Sequence, residues 1–115
     1  MIGKIALNVK NSLIVVDIKD IIYFEKEKKY IKVILRNQKN IYIKKSIKYL
    51  QFILEKENLY NMYFFKPHCS YIINLINVLD LDSTSLIMSN KDIIPISPSK
   101  KNIFYNLIKK RLLII

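Results

Sequence analysis

Short blocks of isoleucine, valine and leucine recur along most of this chain, separated by small clusters of Lys, Asn, Ser and Asp. Brief β-branched runs bounded by polar turn formers predict strands. In the first half they fall at Lys4–Val9, Leu13–Val16 and Ile21–Glu25, broken by Lys10-Asn11-Ser12 and Lys19-Asp20. Tyr30–Arg36 and Asn40–Lys44 flank Asn37-Gln38-Lys39 and form a hairpin with a short polar loop. Then the period changes. Ser46 is placed as an N-cap, with Ile47, Leu50, Ile53 and Leu54 at helical spacing and an end near Asn58. Strands resume at Tyr63–Lys66, Tyr71–Ile73, Asn77–Leu81, Ser85–Met88 and Ile93–Ile96, the last two joined by the turn Ser89-Asn90-Lys91-Asp92. Ser97-Pro98 opens a terminal helix, Ser as N-cap and Pro in the first turn, with Ile103, Phe104, Leu107, Ile108 and Leu112 as its buried stripe. The expected fold class is mainly β: about ten short strands in antiparallel sheets, with one internal and one C-terminal helix.

Composition narrows the class. At 115 residues, 51% hydrophobic and 25% charged, the chain has the size of one domain, 1–115, and enough apolar surface to fold. Cys69 is the lone cysteine, so no disulfide framework exists. No secretory leader is recognisable, and no apolar run reaches the roughly 18 residues of a membrane span. A cytoplasmic protein without membrane insertion is expected.

Twenty basic against nine acidic side chains leave +11, and among the cations only Arg36 and Arg111 are arginine. The abundance of Ile, Lys and Asn fits an AT-rich genome, so codon bias competes with function as the source of the lysines. It does not account for the scarcity of acids. Whatever its origin, such a surface attracts phosphate polymers or anionic membranes over about 10 Å.

Enzyme chemistry finds little footing. Gly3 is the only glycine, which excludes a Gly-rich phosphate loop, and one His with one Cys cannot complete a zinc site. His68 and Cys69, read as neighbours on a strand, point to opposite faces and do not pair as base and nucleophile. Asp80 and Asp82 share a strand face, but no third ligand lies near them. Neither an enzymatic role nor a cofactor or metal is expected.

Three segments gather groups suited to phosphate. Glu25-Lys26-Glu27-Lys28-Lys29-Tyr30 forms a charged turn, from which Lys28, Lys29 and Tyr30 are the expected contacts, and Lys66-Pro67-His68-Cys69-Ser70 sets small hydrogen-bonding side chains beside a proline. Ser97-Pro98-Ser99-Lys100-Lys101-Asn102 is the third. Two lysines at a helix start oppose the positive end of the macrodipole, at about 0.3–1 kcal/mol each, a placement that suits a bound anion. Each segment also has a plain structural reading as a solvated turn, a core histidine or a tolerated surface cost.

The stretch Phe64-Phe65-Lys66-Pro67-His68-Cys69-Ser70-Tyr71-Ile72-Ile73-Asn74 resembles the F-x-R-x-H-R-S-Y-x-V-N core of the LytTR DNA-binding domain family. Asp20-Ile21-Ile22-Tyr23-Phe24-Glu25 with Lys29-Tyr30 is similar to its D-I-x-Y-I-E … K-Y segment. Ser46-Ile47-Lys48-Tyr49-Leu50 is similar to S-L-x-E-L, and Ile94-Pro95-Ile96-Ser97 to I-P-V-S. The resemblance implies an elongated fold of three sheets whose loops enter successive major grooves and the minor groove between them. It places Lys29 or Tyr30, Cys69 and Pro98 nearest the base-contacting positions, and adds Asn74 to the expected DNA-binding set. Two positions depart from the family pattern, which has Arg, Lys or Asn at Cys69 and a basic residue at Pro98. Neither Cys nor Pro makes the bidentate bonds that discriminate purines, so phosphate contacts and the shape of AT-rich DNA would carry more of the binding.

The resulting expectation is a regulator of transcription that binds double-stranded DNA, as a dimer on paired direct repeats. Two further readings stay open. One is a basic β interaction domain that acts through a regulatory protein partner; the other is a single-strand binder that stacks bases on its tyrosines. The family's frequent receiver domain has no counterpart in these residues, so stand-alone regulator and fragment both remain possible.

Overall fold

The computed structural model describes residues 3–115. Its centre is a five-stranded antiparallel sheet in the order β5-β4-β3-β7-β6, made of β3 (Ile21–Glu27), β4 (Tyr30–Leu35), β5 (Asn40–Ile43), β6 (Phe64–His68) and β7 (Tyr71–Asn74). A hairpin of β1 (Lys4–Val9) and β2 (Ser12–Asp17) forms a second sheet. The third contains β8 (Val78–Leu81), β9 (Ser85–Met88) and β10 (Ile93–Pro95). Helix α1 spans Ile47–Lys56 and α2 spans Lys101–Arg111. Ten strands in three antiparallel sheets with two helices match the expected class, and the extents of 45 × 31 × 27 Å are moderately elongated.

The central sheet is covered on both faces, which explains why its strands read as nearly continuous apolar runs. Ile21, Phe24, Ile31, Val33, Phe64 and Ile72 pack to one side with Leu7 of the hairpin and Ile47 and Leu54 of α1. Ile22, Tyr23, Ile34, Phe65 and Ile73 pack to the other, with Leu86, Met88 and Ile94 of the third sheet and Phe104, Leu107 and Ile108 of α2. Ile22 and Tyr23 are consecutive yet share a face, because the ladder slips between Ile21 and Tyr23 and puts an extra residue in β3. Phe65 stacks on Phe104 with ring centroids 5.0 Å apart and so anchors α2 to β6.

Two buried asparagines hold this bulged start of β3. The Asn74 amide donates to the carbonyls of Ile18 and Ile21, both at 2.8 Å, and its oxygen accepts from the Ile76 N–H. The Asn77 amide donates to Lys19 and Ile21 carbonyls at 3.0 and 2.7 Å, and its oxygen accepts from Arg36. The carbonyls belong to a 3-10 turn over Ile18–Asp20 and its exit into β3, backbone whose buried acceptors need partners.

Several details differ from expectation. Ser46 is the N-cap of α1, its Oγ accepting from the Tyr49 N–H at 3.0 Å, but Ser97 makes no side-chain cap. Pro98–Lys100 instead forms a 3-10 turn, and α2 begins at Lys101 with Lys100 in the cap position. Ile103 and Leu112 do not join the buried stripe; both are more than half exposed. Asp82 lies past the end of β8, where Thr84 and Ser85 N–H groups bond its carboxylate and hold its pKa below the usual range. It shares no strand face with Asp80.

Candidate nucleic-acid interface

Antiparallel register carries distant turns to one end of the central sheet. Glu27 pairs with Tyr30 across the Lys28–Lys29 turn, and Ile31 pairs with Ile43, so β5 delivers Lys44, Lys45 and Ser46 to that same end. On the other side Glu25 pairs with Tyr71 and His68 with Tyr71, which brings the Cys69–Ser70 turn alongside. The Lys26 N–H donates to the Ser70 carbonyl at 2.8 Å and fastens the two turns together.

Between them lies a cleft of about 370 Å³, lined on its basic side by Lys26, Lys28, Lys29, Lys45, Lys48 and Lys66. Tyr30, Ser46 and Cys69 also line it, and no acidic side chain does. Among the described residues the one ion pair within 4.0 Å is Lys4 with Asp17, on the hairpin, so the cleft lysines keep their charge unneutralised. The start of α1 opens here with no acid in its first turn. Ser46 satisfies the Tyr49 N–H, while the preceding N–H groups and the positive helix end add to the lysine field.

Of the expected residues, Lys28, Lys29, Tyr30, Lys66 and Cys69 line this one cleft. His68 and Ser70 complete the adjoining turn: the Ser70 N–H donates to His68 Nδ1 at 3.1 Å. Cys69 Sγ stands 3.7 Å from the same nitrogen. The expectation that these side chains diverge fails because β6 ends at His68 and Cys69 occupies a turn, where strand alternation no longer applies.

The third segment sits beside the second. Ser97 donates its N–H to the Pro67 carbonyl at 2.8 Å, and Pro67 is tolerated in β6 because it lies on an edge strand at a register shift. Ser97 is thereby held beside Pro67 of β6, and none of Ser97, Pro98, Ser99, Lys100 and Lys101 lines the cleft. Asn74 is placed apart from them. It is wholly buried, its amide spent on β3 carbonyls, and presents no atom to a partner surface.

Lys26, Lys45, Ser46 and Lys48 also line the cleft but were not among the residues expected at the site. The signal for three of them was present in Lys45-Ser46-Ile47-Lys48, where cations bracket a recognisable N-cap. The argument that singled out Lys100 and Lys101 applies equally there.

Lys28 adopts φ 58°, a left-handed conformation that costs a non-glycine residue about 1 kcal/mol. Lys28→Gly is expected to raise stability by up to about 1 kcal/mol in urea titrations. Duplex affinity should fall, because the turn loses one of the cleft's cations.

The fold is a small β-rich module with a basic cleft that no acidic side chain lines. The chain matches the LytTr DNA-binding domain family over residues 11–109 and belongs to it. That is a DNA-binding family. Among solved structures, the chain is similar to the LytTr DNA-binding domain of a methyl-accepting/DNA response regulator from Bacillus cereus. The TM-score is 0.71 at 24% identity, covering 94% of this chain and 98% of the other, a likeness in fold. No curated protein matches the chain. No described helix is long and apolar enough to cross a membrane.

Proposed function

We propose that this chain is a transcription regulator that grips double-stranded DNA by the turns and helix starts at one end of its central sheet. The carrying observation is the cleft where six lysines from three separate segments converge and which no acidic side chain lines. Gathering that many like charges works against the fold, and phosphates offset the repulsion. The Lys28–Lys29 turn is fastened to the His68–Ser70 turn by the Lys26 to Ser70 bond, and Ser97 is bonded to Pro67 beside that turn, a chain of contacts that supports loops following a duplex surface.

Selectivity rests on fewer groups. Cys69 and Pro98 supply no bidentate donor, so base reading falls to Lys29, Tyr30 and His68, with the rest from phosphate contacts and the shape of AT-rich DNA. Paired direct repeats bound by two protomers fit a reader with so small a base-reading set.

Selection of bound duplexes from a random pool, followed by titrations at several salt concentrations, tests the proposal. Enriched AT-rich sequences in direct repeat are expected. The logarithm of affinity should fall with log salt at a slope near −0.9 per phosphate contacted, several in all. The charge reversal Lys100→Glu/Lys101→Glu should cut duplex affinity while leaving stability unchanged or raised by about 1 kcal/mol. A flat salt response would overturn the reading.

One observation favours a second reading, a basic domain that acts through a protein partner. Leu13 and Val15 stand 66% and 59% exposed on β2, an apolar strand face without cover among the described residues. Weak, non-selective duplex binding alongside saturable binding of a protein would support it.

A further inference from the structure

The lysine cleft does not end at the hairpin turn. Tyr30 and Lys45, which line it, also line a second cleft of about 550 Å³ on their far side. Its remaining walls come from two elements. Lys44, Asn40 and Tyr42 belong to β5 and the segment after it, and Asn8 and Lys10 to the β1–β2 hairpin. Again no acidic side chain lines it. Elsewhere on the molecule the clefts do carry acids, Glu57 between the hairpin and α1 and Asp92 near Arg36. Both clefts are thus lined without acids, and together they run from Lys66, across Lys45 and Tyr30, to the hairpin tip, with Glu27 beside Tyr30 in the ladder.

Its chemistry is that of backbone gripping. Lys10 and Lys44 are exposed point charges, and Tyr30 and Tyr42 are 45% and 44% exposed with hydroxyls free of any described protein partner. Amide side chains of Asn8 and Asn40 stand among them. Lysine, tyrosine and asparagine donors without planar arginine forks suit phosphate oxygens better than base edges. Lys10 occupies the hairpin tip at φ 52°, where the turn holds it at the extreme of this surface.

We infer that the β1–β2 hairpin is a second DNA contact, in which Lys10, Lys44 and Tyr42 hold the phosphate backbone of the duplex flanking the segment gripped by the lysine cleft. This rests on the DNA-binding reading above and extends it. The hairpin, packed on β5, lengthens the footprint on one flank and adds affinity without adding sequence information.

Titrations of the full chain on a selected duplex, and on versions trimmed at one flank or the other, test this. Lys10→Gln/Lys44→Gln keeps the side-chain stems and should leave the thermal midpoint unchanged. On the long duplex it should weaken binding about tenfold and reduce the salt slope by nearly 2, the share of two phosphates. Trimming one particular flank should weaken the wild type to the same extent and abolish the difference between wild type and variant. Trimming the other should preserve it. Equal affinity of the two proteins on the long duplex, or an equal deficit on all three duplexes, would overturn the hairpin contact. A wild type that binds none of them at any salt would instead overturn the DNA-binding reading itself.

Discussion

Lys45→Glu/Lys48→Glu is expected to bind duplex DNA about 100-fold more weakly than the wild type while folding at least as stably. The two effects have opposite signs for one reason. Lys45 and Lys48 flank the N-cap Ser46 of α1, whose first turn contains no acid. A carboxylate there interacts favourably with the helix dipole, at about 0.3–1 kcal/mol each. Lys45 also lies over the Tyr49 ring, 4.9 Å from its centroid, and losing that contact costs about 0.5–1 kcal/mol at an exposed site. The balance is a stability unchanged or raised by about 1 kcal/mol.

Binding loses on both counts, since each substitution removes an attraction and adds a repulsion. At about 1 kcal/mol per charge pair in water, less with salt screening, the sum is roughly 3 kcal/mol. Urea titration and duplex binding on the same preparations check it. Undiminished affinity would remove the cleft from the DNA surface, and a destabilised variant would refute the dipole argument.

Placing those two lysines at the site needed the structure, although every ingredient was visible in the sequence. Strand positions could be read because β-branched runs and polar turns are local properties, and so could the Ser46 cap. Which turns meet is not local. The order β5-β4-β3-β7-β6 puts ends of all five strands together, and that order is set by packing on both faces of the sheet. Helical periodicity likewise reports which residues are apolar, not which are covered. α2 docks through Phe104, Leu107 and Ile108, leaving Ile103 on its outer side. His68 and Cys69 were misjudged for a related reason, since the alternation rule was carried one residue past the end of β6.

Asn74 is the sharpest case, because family resemblance puts it with the DNA-binding residues and the structure puts it in the core. Asn74→Asp changes one NH₂ group to oxygen and nothing else in shape. In place it would face the Ile18 and Ile21 carbonyls with an acceptor where they now receive two donors at 2.8 Å. The site is fully buried, so an ionised carboxylate there is uncompensated, at a cost of about 3–5 kcal/mol. Against a typical total of about 5–15 kcal/mol, the variant should lose a large share of its stability at neutral pH.

Lowering the pH should rescue it, because the protonated carboxyl can donate to one of the carbonyls. The sign follows from linkage. Burial raises the folded-state pKa of the new carboxyl above its unfolded value of about 3.9, so the variant is most stable below that value. It loses stability as pH climbs toward the raised folded pKa. Asn74→Ala, which removes three hydrogen bonds but buries no charge, should cost about 2–3 kcal/mol with no such pH dependence. Urea unfolding of both variants between pH 4 and 7, with duplex binding measured under conditions where each is folded, separates the two roles. If Asn74 acts only in the core, folded variants bind DNA like the wild type. A variant as stable as the wild type that no longer binds would return Asn74 to the interface.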